Sequence, residues 1–179
     1  MKTLQELLIN RRSTREFLDE PLTPEQVYEL LQAALLSPAS KSTNEWSFVV
    51  VDDKNTLEAL SRCKQHGAKM IAKAPLAIVV CADPRLNDVW IEDASIASIL
   101  IQLQAEDLGL GSCWVQLRNR LNESGFPAED YVRDLLNIPT PHQILSIIAI
   151  GKKAKERAPH NVDELEWEKV HLGRWRSEE

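Results

Sequence analysis

Between Thr23 and Leu36, apolar residues recur at helical spacing, and Val27, Leu30, Leu31, Ala34 and Leu35 fall on one face. Ahead of them, Thr23-Pro24-Glu25-Gln26 has capping-box spacing with proline at the first helical position. The helix stops at Ser37-Pro38, because the residue before a proline is pushed out of the helical region. Thr3 to Ile9 reads as a shorter helix with Thr3 as its cap. Four runs follow another rule. Phe48 to Val51, Leu76 to Cys81, Gly111 to Leu117 and Ile144 to Ile150 are β-branched or apolar and bounded by Asp, Pro or Gly, as buried strands are. Helical stretches lie between them. Leu57 and Leu60 fit one, Met70-Ile71 closes another before Pro75, and Pro127 to Leu136 fits a third, ended by Ile138-Pro139. This alternation predicts an α/β layout, compatible with a doubly wound sheet of either connectivity.

Ile91 to Leu108 is the longest helical candidate, and Ile96, Ile99, Leu100, Ile101 and Leu103 surround most of its circumference. Such a helix is a central core helix or one that packs against a second subunit. Gly109-Leu110-Gly111 supplies its stop and the turn into the next strand. The tail is also unusual. After the polar linker around Pro159-His160-Asn161 come Leu165, Trp167, Val170, Leu172 and Trp175, too many large apolar residues for a free terminus. They pack on the chain's own surface or reach another chain.

With 179 residues and 44% hydrophobic content, the chain is expected to form one domain, 1–179. A formal net charge of -6 argues against a general nucleic-acid or anionic-membrane binder. Met1-Lys2-Thr3-Leu4 lacks the apolar core of a signal peptide and no run is long enough to span a bilayer, so a cytoplasmic location is expected. Cys63, Cys81 and Cys113 are odd in number and far apart, which suits reduced thiols. The four histidines are scattered too, and no metal-ligand spacing is visible.

In so acidic a chain, local basic spots must be selective. Arg11-Arg12-Ser13-Thr14-Arg15 sets three guanidiniums in five residues. If the run is extended, Arg11, Ser13 and Arg15 share one face, offering two planar forks and a hydroxyl that suit a phosphate. A second basic run, Gly151-Lys152-Lys153-Ala154-Lys155-Glu156-Arg157, follows a strand directly, and its glycine permits close approach of a ligand. Together the two runs could clamp a phosphate from both sides. Between helix and strand, Ser37 to Trp46 packs hydroxyls, an amide and Lys41 beside an indole, a set of donors that a flat polar heterocycle would use well.

These segments carry a family resemblance. Arg11 to Phe17 resembles the flavin-phosphate motif of the nitroreductase-like family of flavin mononucleotide (FMN) dependent oxidoreductases, and Ser37 to Trp46 resembles that family's S-P-S-x-x-N-x-Q-P-W loop. Ser42, Asn44 and Glu45 stand where the family has Asn, Gln and Pro. The resemblance continues through Gly109 to Trp114 and Ile150 to Lys153, covering nearly the whole chain. It implies an α/β (α+β) fold: a mixed β-sheet flanked by helices, the long helix at the centre of a homodimer, and an arm from about residue 160 reaching the partner. It implies FMN contacts at Arg11, Arg12, Ser13, Arg15, Pro38, Ala39, Ser40, Lys41, Ser42, Asn44, Trp114, Val115, Gln116, Gly151, Lys152 and Lys153, with Lys153 favoured over Lys152 on the phosphate. Lys41 is the cation expected to stabilise charge near N1 and O2 of the reduced ring.

No G-x-G-x-x-G follows a strand, and neither a P-loop nor a G-x-S-x-G elbow is present. That fits NADH or NADPH stacking transiently on a bound flavin, in a ping-pong reaction with an electron-poor acceptor such as a nitro compound or quinone. No protein acid or base is assigned as catalytic. Two other readings are an FMN-binding store or sensor without turnover, and an anion-binding scaffold without flavin.

Overall fold

A computed structural model describes residues 2–175, so Met1 and residues 176–179, the two ends of the expected 1–179 unit, lie outside the described residues. Helices α1 (Leu4–Asn10) and α2 (Pro24–Leu35) lead into strand β1 (Trp46–Val51); α3 (Lys54–Leu60), β2 (Leu76–Ala82), α4 (Trp90–Asp107), β3 (Leu110–Gln116), α5 (Ala128–Leu136) and β4 (Gln143–Lys152) follow. Both expected caps form: Thr3 with Glu6 and Thr23 with Gln26 each close a reciprocal capping box. The expected helix around Met70 is a 3-10 turn, Lys69–Lys73. Asn137, in the left-handed conformation with φ 52°, ends α5 ahead of Ile138-Pro139.

The strands form one sheet in the order β1-β2-β4-β3 with every ladder antiparallel. Parallel pairing is confined, among the described residues, to the isolated bridge between Ser13 and Ser112. The fold is therefore α+β, and the alternation of strands and helices does not produce a doubly wound sheet. Each face of the sheet is covered. Ala77, Val79, Cys81, Ile147 and Ala149 point towards α3 and α5, whereas Leu76, Ile78, Val80, Leu145, Ile148 and Ile150 point towards α2 and α4. Strands buried on both faces carry near-continuous apolar runs, which is why β2 and β4 could be read from sequence. A register shift between Val80 and Cys81 carries Ile144 and Ile147 onto the same face despite their odd spacing.

Helix α4 lies across this sheet with Ala94, Ala97, Ile101 and Ala105 fully buried. Its other side leaves Ile96 and Ile99 more than a third exposed, so one chain does not use all of its apolar circumference. No described helix is long and apolar enough to cross a membrane.

The N-terminal segment is stitched to the sheet at Gly111, where an added Cβ would lie 2.5 Å from Thr14 Oγ1 and 2.6 Å from Thr14 Cβ. Thr14 is buried and β-branched and cannot step aside. Gly111→Ala is expected to lower stability by about 1–3 kcal/mol through overpacking. A denaturant midpoint equal to that of the parent protein would show that the 13–15 segment yields at no cost.

Candidate functional site

Helix α1 ends at Arg11, whose N–H donates to Leu7 O at 2.9 Å while its own backbone turns extended. The chain then runs along the ends of two strands. Thr14 N donates to Ser112 O at 2.9 Å, Leu18 N to Lys152 O at 3.0 Å, and Ala154 N to Glu16 O at 3.0 Å. This seam lays the two basic runs side by side, although they are some 140 residues apart in sequence. Between them lies a cavity of about 390 Å³ lined by Arg12, Thr14, Arg15, Glu16, Lys155, Glu156, Arg157 and Ala158.

The cations of this cavity differ from those expected. Arg12 and Arg15 line it, whereas Ser13, whose backbone bridges to Ser112, and Arg11 lie outside the lining. The segment makes one isolated bridge rather than a strand, so strict alternation is not imposed on it. Lys152 is paired with Glu20, and Lys153 with Glu106 at 3.0 Å and Glu156 at 3.4 Å. Glu106 is 4% exposed near the C-terminal end of α4, where a buried carboxylate needs cations, and Lys2 is its second partner. From the second run, Lys155 and Arg157 reach the cavity instead. Among the described residues, neither they nor Arg15 form an ion pair, and Arg12 donates only to Ala158 O. The close approach that Gly151 permits is taken by its own chain, since an added Cβ would lie 2.5 Å from Pro75 Cδ and 3.0 Å from Phe17 Cδ1.

Lys64 was not anticipated. It follows α3 in a stretch without periodicity, yet its Nζ donates to Gln116 O at 3.1 Å, and burial lowers its pKa. Burial raises the pKa of the Cys113 thiol, against the pull of Arg15, Lys64 and Arg157, so three cations act on one spot beneath the seam. Burial also pushes Cys63 and Cys81 up to about 11, which leaves neither as a ready nucleophile. Trp114 and Gln116 share a face of β3, with Trp114 Nε1 donating to Gln116 Oε1 at 2.9 Å. Val115 faces the opposite way, fully buried in the core, so it can offer only backbone to a ligand. Among the described residues, no cluster of three His, Cys, Asp or Glu side chains converges to hold a metal ion.

The polar loop from Ser37 to Glu45 lies at the other end of α4. Lys41, Ser42 and Asn44 adopt positive φ of 53°, 54° and 48°. Asn tolerates this region, whereas Lys and Ser each bear strain of about 1–2 kcal/mol. The strained residues are exposed, and none of the three side chains has a hydrogen-bond partner among the described residues. Pro38 is exposed, Ala39 and Ser40 are half-buried, and the alternate residues turn inward. Thr43 Oγ1 lies 2.9 Å from Ser40 O and 2.6 Å from Glu45 Oε2, with one hydroxyl proton to donate between them, and Ser40 N donates to Asp93 Oδ2 at 2.8 Å. The indole Nε1 of Trp46, next in sequence, is buried without a hydrogen-bond partner among the described residues. Asp93 and Glu106 are 13 residues apart, so this loop and the cation cavity stand roughly 20 Å apart along the helix axis.

Comparison with known proteins matches residues 8–67 and 62–152 to the model of the nitroreductase family. A structure of an FMN-dependent nitroreductase from Clostridium difficile R20291 superposes with a TM-score of 0.94 at 44% identity, covering 96% of this chain and all of that one. A protein of Archaeoglobus fulgidus bearing the provisional name NADH dehydrogenase/NAD(P)H nitroreductase is 31% identical over 98% of this chain and 100% of its own length. An FMN reductase [NAD(P)H] of Bacillus subtilis is 28% identical over 84% of this chain and 66% of its own.

Proposed function

The chain belongs to the nitroreductase family, and on that premise we propose that it is an FMN-dependent NAD(P)H oxidoreductase whose flavin phosphate sits in the cavity of Arg12, Arg15, Lys155 and Arg157, beside rather than on Arg11 and Ser13. The observation that carries this reading is the cavity of unpaired cations in an acidic protein: Arg15, Lys155 and Arg157 have no carboxylate partner among the described residues. A phosphate with charge near minus two would neutralise them through bidentate and point contacts. These residues therefore fit FMN. Lys153 acts as a strut, fixing the exit of β4 to α4 through Glu106.

When bound, FMN supplies hydride transfer between donor and acceptor. The protein's residues bind and tune. NADH or NADPH would serve as donor and an electron-poor compound, a nitro compound or quinone, as acceptor, in ping-pong turnover. In this reading Lys41, Ser42 and Asn44 would present donors to the flavin, and no residue of the chain is assigned as an acid or base.

The working unit in this reading is a homodimer. Loop and cavity lie at opposite ends of α4, and a two-fold axis pairing two such helices antiparallel sets the loop of one chain over the cavity of the other. Ile96, Ile99 and the tail provide apolar surface for that contact.

Purified protein is expected to be yellow, with the bands of oxidised flavin, and to bleach rapidly with NADH or NADPH under anaerobic conditions. A colourless protein that takes up no added FMN overturns the flavin reading; a yellow one that never bleaches is a store or sensor. Lys41→Met should lower the flavin midpoint potential with FMN retention largely spared, because a cation beside the reduced ring is lost. If potentiometry shows no shift, Lys41 does not face the ring.

A further inference from the structure

Glu45 and Asp93 are buried at 4% and 5% exposure, and among the described residues neither forms an ion pair. They share one amide donor. Asn87 Nδ2 lies 2.8 Å from Asp93 Oδ2 and 3.3 Å from Glu45 Oε1. Asp93 Oδ2 also takes Ser40 N–H, and Glu45 Oε2 takes the Thr43 hydroxyl. All the donors in reach are neutral. Two negative charges facing one neutral amide at this depth would repel each other in a medium that screens poorly. The two Asp93 bonds end on Oδ2, which leaves Oδ1 for a proton.

We propose that Asp93 and Glu45 share a single proton in the folded protein, that this proton fastens the 37–45 loop to α4, and that its loss on the alkaline side releases the loop. This rests on the reading that the loop lies against FMN, and it adds a control on that contact. The Glu45 position is one where the chain departs from the family loop. Burial raises the Asp93 pKa, Glu45 raises it further through charge and hydrogen bond, and Ser40 N–H opposes them. The other charges around the pair do not compensate. Glu92 on α4 adds to the repulsion, Asp83 after β2 is engaged by Arg85 at 2.7 Å, and His142 acts on Asp83. Lys41 in the loop is exposed and forms no ion pair among the described residues.

Because the folded pKa of Asp93 lies above its unfolded value, the folded state binds more protons. Its contribution to stability is complete below the unfolded pKa and is lost as pH rises through the folded one. Asp93→Asn places an amide donor against Glu45 and keeps a carbonyl for Ser40 N–H, so it imitates the protonated pair without a titrating group. As pH rises from the ordinary aspartate range towards 9, the parent's dissociation constant for added FMN is expected to rise severalfold as Asp93 loses its proton, and that of Asp93→Asn to stay within about twofold. The thermal midpoint of the flavin-stripped proteins should show the same divergence. This second arm needs no flavin, so a protein that binds no FMN at all would defeat the functional reading and leave this arm intact. A parent and Asp93→Asn with parallel midpoint profiles overturn the shared proton. Divergent midpoints with parallel FMN profiles overturn its control of the loop.

Discussion

Removing residues 162–179 is expected to turn a flavin-loaded dimer into a flavin-poor monomer. Trp167 is 69% exposed, Leu172 80% and Trp175 79% in the single chain, so the tail does not pack on its own surface. One tie precedes it: His160 N donates to Ile9 O at 2.9 Å, and a cut after Asn161 leaves that bond in place. The tail's apolar side chains are then free to bury themselves on a second copy. Each large apolar side chain buried contributes about 1.5–3 kcal/mol. Two per chain already correspond to more than about a hundredfold in dimer affinity. In the shared-site arrangement, flavin and dimer are lost together. Sedimentation velocity, with absorbance followed at the flavin band, reads both at once. A truncated protein that sediments as a monomer and keeps its flavin would sink the shared site, and one that stays dimeric and yellow would remove the tail from the interface.

Arg15→Ala is expected to weaken FMN binding about tenfold or more, since a hydrogen bond to a charged group is worth about 1.5–3 kcal/mol. Lys155→Ala and Arg157→Ala should behave alike, because both side chains line the same cavity and neither forms an ion pair among the described residues. Lys152→Ala is the control. Its partner Glu20 is half exposed, so affinity should stay within about twofold. Lys153→Ala should instead act on stability, by stranding the buried Glu106 with Lys2 alone. Flavin titration of the set distinguishes ligands from struts. Unchanged affinity in Arg15→Ala would displace the phosphate from this cavity.

Most of the elements were legible because local rules and tertiary demands agree in this chain. The capping boxes at Thr3 and Thr23 are complete within four residues, and β2 and β4 are apolar on both faces because both faces are covered. Sheet direction was not legible: a buried apolar run reads the same in a parallel and an antiparallel ladder. The site was half legible. Two basic runs in an acidic chain stood out as a candidate anion site, but which of their lysines are tied to carboxylates depends on Glu20 and Glu106, which only the folded chain brings to Lys152 and Lys153. Gly111 and Gly151 read as turn or ligand positions, yet what they accommodate is Thr14 on one side and Pro75 on the other. Lys64 had no pattern to betray it. The inward Glu45 replaces a proline of the resembling loop, and its partner Asp93 is 48 residues away in sequence.

Strand β4 is paired with β2 from Gln143 to Ile150 and with β3 from Ser146 to Lys152, so its middle is bonded on both edges. Immediately beyond Lys152 the chain passes into an exposed stretch, pinned to the N-terminal segment by the amides of Ala154 and His160. Backbone protection against solvent deuterium should therefore fall abruptly within a few residues, from the slowest-exchanging amides of the protein to some of its fastest. Lys155 and Arg157, which line the proposed phosphate cavity, stand on this step. A bound phosphate has only to slow the labile side of it, so occupancy should be recorded in the exchange of 154–160 while the interior of β4 stays silent.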